Sequence, residues 1–186
     1  MASSHSRETS STTTVPQKYR EPSLMLRSQA NAMKTNVESK VETRVADFKE
    51  KYKDATDEEL SAFIDGAFED VEMEVHNQLA SMKVEVKRHA PKKPVRRPEE
   101  SDAEYQRNLA QYEQDRQDYM QYVGFVAGFL KGLANLFREI FHSIKEFFRS
   151  LWNWIKQALK NVAEKVSNFV RFLKEKIANG IEALFG

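Results

Sequence analysis

The sequence predicts an all-α protein: a helical hairpin followed by one long C-terminal amphipathic helix, packed as a helical bundle behind a disordered N-terminal tail. Three observations carry that prediction. Beyond residue 22, apolar residues recur every three or four positions through most of the chain, which is the α-helical period. No proline follows Pro98, and no glycine lies between Gly132 and Gly180, so long stretches lack a local stop. No strand-rich scaffold competes with the helical pattern.

The elements follow in order. Residues 1–22 are rich in Ser and Thr, lack periodicity and read as the disordered tail. A first helix runs from Ser23 to about Tyr52, with Leu26, Ala30, Met33, Val37, Val41, Val45 and Phe48 on one face. Thr56 with Glu59 three residues on forms a capping box, so a second helix starts there and buries Leu60, Ile64, Phe68, Val71, Val75, Met82 and Val86. A turn this short between two long helices predicts an antiparallel hairpin over residues 23–90. Pro91, Pro94 and Pro98 mark residues 91–100 as an exposed basic linker, beside Lys87, Arg88, Lys92, Lys93, Arg96 and Arg97.

Residues 101–186 read as a single long helix. Ser101 and Glu104 form its capping box, its first part is polar, and its second part is amphipathic. The apolar stripe recurs from Val126 through Leu133, Ile140, Phe147, Ile155, Val162 and Phe169 to Leu173 at about 3.6 residues per step. A straight helix from Ser101 to Ala178 would measure about 117 Å, so a kink or fold-back is expected, placed at Gly124, Gly128 and Gly132.

The period suggests what the stripe covers. A coiled coil needs a 3.5-residue repeat. Residues 105–151 follow one, but beyond Leu151 the apolar positions step away at 3.6, which suits a flat surface better. Composition points the same way, because Phe and Trp favour an interface between apolar and wet phases. The expected membrane-binding residues are Phe129, Phe137, Phe141, Phe147, Phe148, Trp152, Trp154 and Phe169, with Lys145 and Arg149 among the basic residues beside the arc. Lys165 and Lys176 intrude on the apolar side, which is awkward in a dry core. The three glycines, spaced four apart, suit an insertion or self-association segment or a close helix crossing, with the crossing slightly favoured.

Charge is distributed unevenly. The net +1 of the chain divides into −4 over residues 1–120 and +5 over residues 121–186, so the apolar end is also the basic end. Between Asp54 and Met82 there are nine acids and no Lys or Arg, and this run is expected to restrain the basic last helix.

Other classes are disfavoured. The absence of cysteine excludes disulfides, thiolate metal sites and cysteine nucleophiles. Glu139 and His142 have di-iron spacing but no second copy, and Glu72 with His76 lacks further ligands. No phosphate loop or nucleophile elbow is present. No enzyme, cofactor or metal is expected, and nucleic acid is a poor partner because no aromatic interleaves the basic linker. The longest apolar run, residues 122–137, falls short of the roughly 20 residues a spanning helix needs. No secretory signal is visible in the first twenty residues. The reading is therefore a cytoplasmic, peripherally membrane-associated, non-enzymatic protein whose partners are anionic membrane lipids and whose last helix binds, remodels or permeabilises membranes. The alternative is a structural or adaptor bundle whose stripe is buried in a homo-oligomer or against a partner.

Overall fold

A computed structural model describes residues 15–51 and 54–185; the tail expectation for residues 1–14 lies outside these. Among the described residues five α-helices form the bundle: α1 (Arg20–Lys51), α2 (Asp57–Gly66), α3 (Glu69–Arg88), α4 (Asp102–Lys156) and α5 (Val162–Phe185). No strand occurs among the described residues, so the all-α bundle predicted from periodicity is the fold.

Pairings between side chains fix the topology. Tyr19 stacks on Tyr122 at 4.6 Å, and Phe48 meets Phe148 edge-on at 5.2 Å, so α1 and α4 run parallel. Glu72 pairs with Lys145, while Tyr119 donates its hydroxyl proton to the Val86 carbonyl, so α3 runs antiparallel to α4. Phe169 stacks on Phe147 and Phe185 packs on Phe129, which turns α5 back along α4. Arg27–Glu182 and Lys174–Glu42 ion pairs place α5 beside α1 as well. The result is an up-down-up-down four-helix bundle in which α2 and α3 together form the second arm.

The hairpin follows the sequence closely. Every apolar mark from Leu26 to Phe48 is buried, as are Leu60, Ile64, Phe68, Val71, Val75, Met82 and Val86. Both capping boxes form: Thr56 Oγ1 accepts the Glu59 N–H at 3.2 Å, and Ser101 Oγ accepts the Glu104 N–H at 3.2 Å, with each glutamate returning the bond. Those bonds hold the Glu104 carboxyl below its ordinary range, the Ser101 backbone N–H being the largest cause.

Three boundaries differ from expectation. The ordered chain begins before Ser23: Val15 packs on the core, Gln17–Tyr19 form a 3-10 turn, and α1 starts at Arg20. The anchor is Tyr19, buried against Tyr122. The second helix is divided at Gly66–Phe68, where Phe68 is turned into the core against Phe148.

The predicted single helix from Ser101 is two helices, and the fold-back lies at residues 157–161 rather than at the glycines. There Ala158 adopts φ 50°, the Leu159 N–H donates to the Trp154 carbonyl and the Ala158 N–H to the Ile155 carbonyl. This is a Schellman-type end, normally signalled by glycine, with alanine in its left-handed position. The carbonyl of Asn161 then takes the Lys165 N–H to open α5.

Helix α4 runs uninterrupted through Gly124 and Gly128, and a Cβ at either would have nothing within 4 Å. Gly132 does sit at a close crossing, where an added Cβ would press on Leu184; Gly180 of α5 does the same against Leu136, at 2.6 Å. The close approach is therefore between α4 and α5, with one glycine from each helix.

Candidate membrane-contact surface

Helix α4 projects beyond the bundle at its start. Its first buried side chain is Tyr122, level with the beginning of α1, and before it only Tyr105, Leu109, Tyr112 and a few later residues are half-buried. The basic linker folds against this polar arm, with Arg96 ion-paired to Asp102 and its guanidinium over the Tyr105 ring. Two of the six basic residues are thereby directed at protein: Arg96 as above, and Arg88 towards Glu85.

The predicted membrane-binding residues take two kinds of position. Phe129, Phe137, Phe141, Phe147, Phe148 and Trp152 are buried in the bundle core, where Phe148 contacts Phe48, Phe63 and Phe68. They do not face solvent. Trp154 and Phe169 are half-buried near the α4–α5 turn. Lys145 pairs with Glu72 of α3 at 3.1 Å, and Arg149 with Glu146 on its own helix.

At that turn and along the first half of α5 the bundle leaves apolar side chains partly uncovered. Leu159 is 39% and Phe172 47% exposed, and Ile155, Val162 and Val166 are half-buried beside them. Lys156, Lys160 and Lys165 are exposed among them, with Glu164 the acid of the same stretch. The lysines lie on the aromatics: Lys156 Nζ stands 3.6 Å from the Trp152 ring centre, and Lys165 Nζ 4.8 Å from that of Trp154. The buried Trp152 Nε1–H has no acceptor among the described residues. On the adjoining side, the first turn of α2 brings Asp57 near Arg149 and Asn153.

The sequence reading missed Leu159 and Phe172 as exposed residues because it carried one helix straight through them. A signal for this region was present in the lysines intruding on the apolar side. Lys165 lies on Trp154, and Lys176 pairs with Glu139 at 3.7 Å while approaching Phe172.

The expected acidic restraint is differently arranged. Helix α3 reaches the basic segment at Lys145 of α4, whereas Lys174 and Lys176 of α5 pair with Glu42 of α1 and Glu139 of α4. Such exposed pairs contribute about 0–1 kcal/mol each, so the apolar contacts hold α5 far more than its charges do.

A depression of about 390 Å³ between α3 and α4 gathers His76, His142, Arg138 and Lys145. Among the described residues, no group of three or more His, Asp, Glu or Cys is placed to hold a metal ion, and no helix is long and apolar enough to cross a membrane. Comparison with known proteins found no matching family model, curated protein or solved structure.

Proposed function

We propose that this chain is a non-enzymatic, lipid-surface-binding helical bundle that docks through the α4–α5 end and then releases α5. The observation that carries the reading is the partly uncovered apolar side chains of that end, Leu159 with half-buried Trp154 among Lys156, Lys160 and Lys165, continued along α5 by half-buried Phe169 and exposed Phe172 beside Lys176. Lysine stems can lie along such a surface and put their ammonium groups at lipid phosphates. Each contributes about 1 kcal/mol near an anionic leaflet. Docking first engages this patch; opening of the α4–α5 hairpin then presents the buried phenylalanines and Trp152 to the acyl region.

The test is flotation with vesicles of mixed phosphatidylserine and phosphatidylcholine. The Leu159→Ser/Phe172→Ser variant, altered at partly exposed positions, is expected to remain folded at the assay temperature by circular dichroism and to lose most of its flotation. Full flotation by that variant, or equal flotation of the unaltered chain on pure phosphatidylcholine, would overturn the reading.

A second reading, a structural or adaptor bundle, is favoured by the polar arm of α4 ahead of Tyr119. Among the described residues no α-helix covers its first three turns, and Gln111–Asp115 and Gln114–Asp118 hydrogen bonds stiffen it along its own surface. Loss of a partner on deleting that arm, with vesicle binding absent in the full chain, would favour it.

A further inference from the structure

At the end of the bundle remote from the α4–α5 turn, α3 and α4 line a second hollow of about 400 Å³ that is partly open to solvent. Its walls are apolar: Val86 from α3, with Val123, Val126 and Leu130 from α4. The nearby Tyr119 hydroxyl is already directed at the Val86 carbonyl at 3.4 Å. A water held in place needs two to four polar partners, so these walls are poorly suited to ordered water. The volume lies within the ~300–1,000 Å³ range of small-molecule pockets. Met120, 62% exposed, stands at the lip with an unbranched side chain able to fold over an occupant.

Two cations guard the mouth. Lys83 and Lys87 are one turn apart on α3 and both line the hollow. Among the described residues neither ammonium has a carboxylate within ion-pairing distance. The acid on their stretch of helix, Glu85, is engaged by Arg88 at 2.9 Å. Like charges four residues apart on a helix repel, and an anion between them relieves that repulsion.

We propose that this hollow binds a single-chain fatty carboxylate, with the hydrocarbon chain between α3 and α4 and the carboxylate held by Lys83 and Lys87. The chemistry needed is one acyl chain bearing one anionic head, which a free fatty acid and a lysophospholipid share. The site is formed in the closed bundle and does not depend on membrane docking at the other end.

The experiment is calorimetric titration of the full chain with palmitate below its micellar concentration, beside hexadecanol and a phosphate-headed lysolipid. Saturable one-to-one binding of palmitate, tighter than hexadecanol by about tenfold, is expected from charge-assisted hydrogen bonds to the lysines. Stronger binding of the lysolipid than of palmitate would assign the anionic head to phosphate and overturn the carboxylate. Lys83→Gln/Lys87→Gln, both exposed and so compatible with folding, is expected to bring palmitate down to the affinity of hexadecanol without altering hexadecanol itself. Ala127→Phe, which fills the hollow from α4, is expected to weaken both ligands by at least about tenfold. Absence of saturable palmitate binding, or palmitate affinity unchanged in the lysine variant, would overturn the proposal even if Ala127→Phe failed to fold.

Discussion

Stapling α4 to α5 tests whether the hairpin has to open. A Cβ placed on Gly132 would lie 3.5 Å from Leu184 Cγ, which brings the Cβ atoms of these two positions within reach of the ~3.5–4.5 Å separation of a disulfide. The chain has no cysteine, so Gly132→Cys/Leu184→Cys can form a single intramolecular pair. The closed loop, residues 132–184, is long enough for the chain-entropy model to give about 4 kcal/mol of stabilisation. For a chain of this length that corresponds to a melting temperature about 10 °C higher oxidised than reduced. Loss of the half-buried Leu184 side chain affects both forms alike, so the oxidised and reduced samples isolate the crosslink. Thermal melts followed by circular dichroism measure the first quantity, and dye leakage from phosphatidylserine vesicles measures the consequence. The oxidised protein is expected to float with vesicles yet cause little leakage, and reduction is expected to restore leakage. Equal leakage from both forms would refute opening as part of the mechanism. Failure of the disulfide to form on oxidation would refute the α4–α5 packing, whereas equal melting temperatures with the disulfide verified by mass would refute the calculated stabilisation.

Two further outcomes follow from particular residues. Ala158 holds φ 50°, a conformation costing an L-residue about 1–2 kcal/mol, part of which glycine recovers after its larger unfolded-state entropy is deducted. Ala158→Gly is therefore expected to raise the melting temperature by about 2 °C, and a lowered one would contradict the fold-back at this residue. Burial, followed by the carboxylates Asp115 and Asp118 for Tyr19 and Glu85 for Tyr122, raises both phenol pKa values above their ordinary 10.0. A raised folded-state value means that the associated stability is fully present below the unfolded value of about 10 and is lost as pH rises through the folded one. Chemical denaturation between about pH 8 and 11 is expected to show that decline, with Tyr122→Phe making it shallower; an identical decline in the variant would remove Tyr122 as its source.

How the chain is legible differs from one residue to the next. Thr56 with Glu59, and Ser101 with Glu104, act over three residues, so their hydrogen bonds could be read from spacing alone and are found in the structure. The face from Leu26 to Phe48 was equally plain, because a helix that buries one side must repeat at its own period. Sequence alone determined the all-α class, the hairpin and the amphipathic character of the C-terminal third. The direction in which that third runs was decided elsewhere. Ala158 carries no local instruction to leave the helix; packing of Phe169 on Phe147 and Phe185 on Phe129, with Gly132 and Gly180 admitting Leu184 and Leu136, offsets its left-handed backbone. Tyr19 likewise belongs to a segment without periodicity and is ordered by a partner about a hundred residues away, Tyr122. An apolar stripe states that a face must be covered, since its exposure to water is unfavourable at roughly 25 cal/mol per Å² whatever the cover. Because that driving force is non-directional, the stripe cannot name its cover. Only the tertiary structure assigned the cover, giving most of the stripe to α1, α3 and α5 and leaving Leu159 at the turn and Phe172 within α5 exposed.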